Sequence, residues 1–152
     1  MKNLNLLALL LALAGLAVLP LWAALTGETV YAHDIPADKI IRIAAPLGTD
    51  GVQRAEIVGG EYYYKPNDIV VKVNTPVELK FKKAAGGYIP HDVIVKAPEA
   101  GINFKIDLKN DFQTVTFTPT KIGKYPMYCD KSLLWFATHQ EKGMEGLIEV
   151  VE

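Results

Sequence analysis

The chain has 152 residues, half of them hydrophobic, with 16 lysines and arginines against 17 aspartates and glutamates and a net charge of −1. That is the composition of one ordinary globular domain, and charges of both signs interspersed along it leave no basic footprint for nucleic acid. A single cysteine, Cys129, excludes an internal disulfide.

Met1 to Ala32 reads as an export signal. Lys2 supplies the positive start, Leu6 to Leu19 is leucine, alanine and valine apart from one glycine, Pro20 breaks the run, and Val30-Tyr31-Ala32 offers a cleavage site before His33. An uncleaved anchor is the alternative, because Leu6 to Leu25 runs twenty residues without a charge, long enough to span a bilayer. Either way the domain beyond is expected to be periplasmic or otherwise extracytoplasmic, attached to a membrane only if the leader is retained. A lone thiol sent to an oxidising compartment is a liability unless something occupies it, which favours a bound metal. His33 would begin the mature chain.

Residues 33–60 read as an N-terminal extension with short strands near Ile40 to Ile43 and Ala55 to Val58, separated by a turn at Leu47 to Gly51. Residues 61–152 are expected to form the core of the domain. Tyr62 to Tyr64 precedes a Lys65-Pro66-Asn67-Asp68 turn, and Ile69 to Val73 is mostly β-branched. Val77, Leu79 and Phe81 alternate with Glu78, Lys80 and Lys82, the mark of a strand with one wet face. A loop from Ala84 to Pro90 leads to a strand at Val93 to Val95. Pro98 to Asn110 reads as a looser connection with a helical turn or short strand about Ile102 to Leu108, and Phe112 to Thr118, Tyr125 to Cys129 and Leu147 to Val151 supply the remaining strands. Seven or eight such strands behind a signal helix predict an all-β, two-sheet Greek-key sandwich.

The chemistry gathers in the last quarter. Between Lys124 and Val151 stand Cys129, His139 and Met144, the methionine flanked by Gly143 and Gly146, while His91 lies upstream in GGYIPHDVIV. Two imidazoles, a thiolate and a weak thioether are the ligand set of a mononuclear copper site for electron transfer. Alternation places Cys129 with Met127 and Tyr125 on one strand face, and a strand starting at His91 can meet a strand ending at Cys129 at one pole of a sandwich. Taken singly, each residue is ordinary: a buried cysteine is a small hydrophobe, and Met127 reads as core. Their conjunction points to copper.

The run FTPTKIGKYPMYC, followed by a histidine and then GMEGLIEV, resembles the copper-binding end of the cupredoxins, especially plastocyanin and pseudoazurin. AGGYIPHDVIV is similar to their upstream ligand segment, and the likeness covers about Asn67 to Val151. The resemblance implies one copper ion in a type 1 (blue) site, with His91, Cys129 and His139 as equatorial ligands and Met144 as a weak axial one. It also implies that the second histidine presents its ring edge through an apolar surface patch. Nine residues separate Cys129 from His139, more than in the small carriers and closer to the mononuclear site of copper nitrite reductases. Asp92 stands where an asparagine commonly ties the two ligand loops, and an ionised carboxylate cannot donate as an amide does. Leu133 falls where the dinuclear centre of cytochrome oxidase needs a second cysteine.

The long loop carries Leu133, Leu134, Trp135 and Phe136, flanked by Asp130, Lys131, Glu141 and Lys142. A hydrophobic island with a charged rim beside His139 suits docking of a redox partner protein, such as a cytochrome or respiratory enzyme; alternatively Trp135 and Phe136 fold inward over the metal. The expected function is single-electron carriage without catalysis. The alternative is a periplasmic copper carrier or buffer lacking a redox partner. Zinc hydrolysis fits less well, since the thioether of Met144 is a poor zinc ligand.

Overall fold

The computed structural model describes residues 37–132 and 135–152. The expected signal at 1–32, His33, and Leu133 and Leu134 of the long loop lie outside the described residues. Ten strands are present among the described residues: β1 (Arg42–Ala44), β2 (Gln53–Gly60), β3 (Tyr63–Lys65), β4 (Asp68–Lys72), β5 (Val77–Lys83), β6 (Asp92–Ala97), β7 (Ile102–Asp107), β8 (Gln113–Phe117), β9 (Gly123–Tyr128) and β10 (Glu145–Val151). The number exceeds the seven or eight expected because β1 and β3, three residues each, qualify as strands only through the neighbours they pair with. Short 3-10 turns at Ala37–Lys39 and Pro98–Ala100 are the only helical pieces among the described residues.

The strands form two sheets, one ordered β1-β4-β10-β9-β6-β7 and the other β3-β2-β5-β8. Their inner faces enclose a core that alternation foretells. Val77, Leu79 and Phe81 are buried while Glu78, Lys80 and Lys82 between them are half-buried, and Ile57, Ile69, Val71, Val93, Val95 and Ile148 join them from other strands. Burying each such side chain contributes about 1.5–3 kcal/mol, so the sheets are held face to face without a staple.

Residues before Glu61 are woven into both sheets. β1 runs parallel to β4, and β2 lies in parallel register with β5 from Gln53 against Val77 to Gly59 against Lys83. Ile57 of β2 is fully buried, so the sheets run across the expected boundary at Glu61.

Strand direction decides what shares an end. β2 and β5 point the same way, bringing Gly60 and Lys83 to one pole. β6 begins there, β9 ends there and β10 starts again there, since β9 is antiparallel to both β6 and β10. At the opposite pole the chain turns from Leu47 to Gln53, closed by hydrogen bonds from the Gly48 N–H to the Val52 carbonyl (2.9 Å) and the Gly51 N–H to the Gly48 carbonyl (3.0 Å).

Candidate metal centre

His91 immediately precedes β6, and its carbonyl accepts the Leu108 N–H at 2.8 Å. Cys129 immediately follows β9. Alternation carries Tyr125, Met127 and Cys129 inward, and all three are buried; Met127 is core, as expected. The loop between Cys129 and β10 is closed by backbone bonds. Cys129 N–H donates to the Met144 carbonyl (3.2 Å), Gln140 N–H to that of Cys129 (3.1 Å), His139 N–H to that of Lys131 (2.8 Å) and Met144 N–H to that of His139 (2.9 Å).

Thr138 and Glu141 bracket His139 in a reciprocal cap. The Glu141 carboxylate accepts the Thr138 N–H (2.6 Å), and the Glu141 N–H donates to the Thr138 hydroxyl (3.2 Å). This is capping-box geometry, legible in the sequence as T-x-x-E but not read there. The two glycines act as expected: Gly143 has φ +96°, and a Cβ on Gly146 would lie 2.6 Å from the Asn67 carbonyl oxygen.

Three of the four predicted donors converge. The ligand atoms of His91, Cys129 and His139 all lie within 4.8 Å of one another. The two Nδ1 atoms are 3.0 Å apart, and Cys129 Sγ is 3.5 Å from His139 Nδ1. None of the three residues exceeds 2% exposure. Met144 is fully buried beside them in sequence and backbone bonding.

Nitrogen and sulfur donors held at about 2.0–2.3 Å from one ion sit roughly 3–4 Å apart, so the observed spacing fits a single metal ion. The protonation states fit as well. Burial, with help from His139 and Lys83, lowers His91 to about 4. Burial and Lys142 lower His139, with Asp92 opposing. Burial pushes the Cys129 thiol up to about 12 against the N–H groups of Asp92 and Lys131. Both imidazoles therefore offer lone pairs at neutral pH, and only a cation would compensate the thiolate that burial disfavours.

Asp92 ties the ligand loops as an acceptor. Its Oδ1 accepts the Asp130 N–H at 3.1 Å, its own N–H points at Cys129 Sγ at 3.5 Å, and its carbonyl accepts the Tyr64 hydroxyl at 2.6 Å. Its Oδ2 lies 3.2 Å from Lys105 Nζ and 3.8 Å from Lys131 Nζ. Those lysines also pair with Asp130 and Asp107, at 2.8 and 2.9 Å. Burial raises the Asp92 carboxyl above the usual carboxylate range, with Lys105 opposing. No sequence signal marks this cluster, because Lys105 and Asp107 reach Asp92 only through the β6–β7 register.

No local sequence pattern marks Tyr62 either. Its ring meets His139 edge-on at 5.1 Å between centroids and His91 at 6.3 Å. His139 is 2% exposed behind it, so the ring edge that the resemblance led us to expect at the surface is covered. Trp135 and Phe136 stack on each other at 5.9 Å and are 84% and 55% exposed. Trp135 points to solvent and does not fold inward as a lid.

No protein-family model matches the chain, and no curated relative matches it at a significant level. Solved structures do. The metal-binding domain of the Streptococcus pneumoniae D39 Cu(I)-exporting P-type ATPase CopA, with Cu(I), superposes with a TM-score of 0.53 at 24% identity, covering 74% of this chain and 97% of that one. A copper-binding protein in its apo form, solved by NMR, gives 0.54 at 18% identity over 73% and 98% of the two chains. A multicopper oxidase gives 0.52 at 18% identity over 70% of this chain but 45% of its own. The chain has the cupredoxin-like fold.

Proposed function

We propose that this chain is an exported mononuclear copper protein that carries single electrons between redox partners. One observation carries the reading: two imidazole nitrogens and one thiol sulfur, from two distant loops, lie buried within 4.8 Å of one another. Copper would supply a one-electron Cu(II)/Cu(I) couple, and the soft donor set suits it. His91, Cys129 and His139 would hold the ion, with Met144 as a weak fourth donor.

The protein's own contribution is a fixed frame. Backbone bonds lock Cys129 and His139 to each other's segments, and the Asp92 N–H directed at Cys129 Sγ stabilises negative charge on sulfur and so tunes the couple. Donors that are at most 2% exposed favour carriage over turnover. The exposed Trp135–Phe136 stack beside the site is the proposed dock for a cytochrome or respiratory enzyme, and the leader places the domain outside the cytoplasm. The exporter domain named above, described with Cu(I), favours copper carriage or buffering as the second reading.

Adding Cu(II) to the metal-free protein is expected to give an intense visible absorption that Cys129→Ser abolishes. A colourless protein that takes up no copper sinks the proposal. Rapid reversible electron exchange with a cytochrome, as against handing copper to an acceptor protein, separates carriage of electrons from carriage of metal.

A further inference from the structure

The geometry points to Tyr62 as the cover of the metal site on its His139 side, a residue that keeps outside ligands from that imidazole and so restricts the centre to electron carriage. This rests on the copper reading above and adds the element that closes it. Tyr62 comes from the β2–β3 connection, far in sequence from every predicted donor. Its half-buried ring stands at 74° to the ring of His139 and 88° to that of His91. Both imidazoles behind it are 2% exposed. A partly exposed ring in close edge contact with the buried His139 is placed to shield that imidazole.

Two further observations indicate that this placement is built. Tyr62 has φ 61°, a left-handed conformation that a bulky side chain adopts only when its surroundings impose it. The residue is also clamped from the loop that bears His139. Lys142 Nζ donates to the Tyr62 hydroxyl at 3.2 Å and lies 4.6 Å from the ring centre, a cation held against an aromatic face. Strand connection and ligand loop are thereby fastened to each other across the histidine pair.

What the cover excludes follows from its neighbourhood. A cleft of about 250 Å³, whose lining includes Gly60, Glu61, Tyr63, Lys83, Gly87 and His91 but not Tyr62, adjoins the β2–β3 connection on the His91 side. Lys83 is close enough to act electrostatically on His91, so a small anion has both an approach and an attraction. Access of solvent and ligands to a metal is set by the shell around it, and over His139 that shell includes the Tyr62 ring.

The test compares Tyr62→Gly with Tyr62→Phe. Glycine takes the left-handed backbone without strain, so the ring is removed while the turn is kept; phenylalanine keeps the ring and loses only the hydroxyl contact. In the metal-free protein, diethyl pyrocarbonate, which acylates neutral imidazoles, is expected to modify His139 slowly in the native chain and in Tyr62→Phe. In Tyr62→Gly the rate at His139, read by peptide mass mapping, rises at least about tenfold, because access is limited by that shell. In the copper-loaded protein, azide is expected to leave the visible spectrum of the native chain unchanged and to add a new band in Tyr62→Gly.

Native His139 reacting as fast as free histidine, or no acceleration in Tyr62→Gly, overturns the inference. So does azide perturbing the native copper spectrum. Failure of every form to take up copper counts against the copper reading alone, and the acylation rates then decide the cover by themselves.

Discussion

The two ends of this sandwich are joined by the same strands yet built on opposite principles. At the Leu47–Gln53 end, charge is left in water: Arg54 pairs with Asp50 at 2.6 Å and with Glu78 at 3.4 Å, Arg54 and Asp50 about half exposed and Glu78 half-buried. At the other end, eight residues along β2, polar groups are taken inside. His91, Asp92 and His139 are at most 2% exposed, and each is held by partners from elsewhere in the chain. Exposed ion pairs contribute little to stability, about 0–1 kcal/mol, whereas a buried polar group that loses its partner costs about 1–3 kcal/mol. At the first pole the Gln53 amide is also taken inside, held by the backbone of Lys72 and Thr75, but the buried imidazoles and Asp92 gather at the second, where oriented donors are useful.

Breaking the buried end should therefore have the larger consequences. His139→Ala is expected to weaken copper binding by more than about 100-fold, measured by chelator competition, since even loss of an outer-shell partner costs 10–100-fold. Asp92→Ala removes the acceptor of the Asp130 N–H and the counter-ion of Lys105. It should lower unfolding free energy by about 1–3 kcal/mol in urea titrations, and Lys105→Met, whose side chain is half exposed, should cost less. Equal effects of the two would mean that the lysine, and not the loop tie, is what Asp92 supplies.

Trp135→Ala sharpens the contrast within the metal pole itself. Trp135 and Tyr62 both belong to the surroundings of His139, but one faces solvent and the other the imidazole. The tryptophan variant should keep its copper spectrum and its slow His139 acylation while its affinity for a redox partner falls about tenfold or more, as for an aromatic anchor at an interface. A change of colour in Trp135→Ala would reverse the roles assigned to the two aromatics.

The exposed end should yield the smallest effect. The Arg54 guanidinium holds the Asp50 carboxyl down to about 2, from an ordinary value of 3.8. A carboxyl lowered on folding contributes its stability above the unfolded value and loses it as pH falls through the folded one. Asp50→Asn should thus lower the melting temperature by no more than about 2 °C at pH 7, and the difference from the native chain should vanish between pH 4 and 2. A larger or pH-independent loss would show that the turn, and not the charge, is at stake.

Much of the scaffold was legible because a strand's burial repeats every two residues. Val77, Leu79 and Phe81 could be assigned to the core from alternation alone, and Gly143 and Gly146 could be assigned to a tight turn from their lack of a side chain. The role of β2 was underestimated because its run QRAEIVGG mixes charges with small residues; its place beside β5 depends on pairing with a strand more than twenty positions away. Trp135 was ambiguous for a related reason: an aromatic next to a candidate ligand in sequence has no fixed orientation within a loop.

By itself the order of residues determined the donor chemistry, since only one thiol exists and imidazole and thioether stand at loop-compatible spacings around it. It also determined which strand faces are apolar, because local periodicity decides that. Tertiary structure alone decided that three donors share a space of 4.8 Å, that Asp92 still joins the ligand loops by accepting the Asp130 N–H, and that a tyrosine 77 positions before His139 packs edge-on against it. Those outcomes depend on register and on which strand ends meet at a pole, and contacts between distant segments leave no periodic trace in either segment.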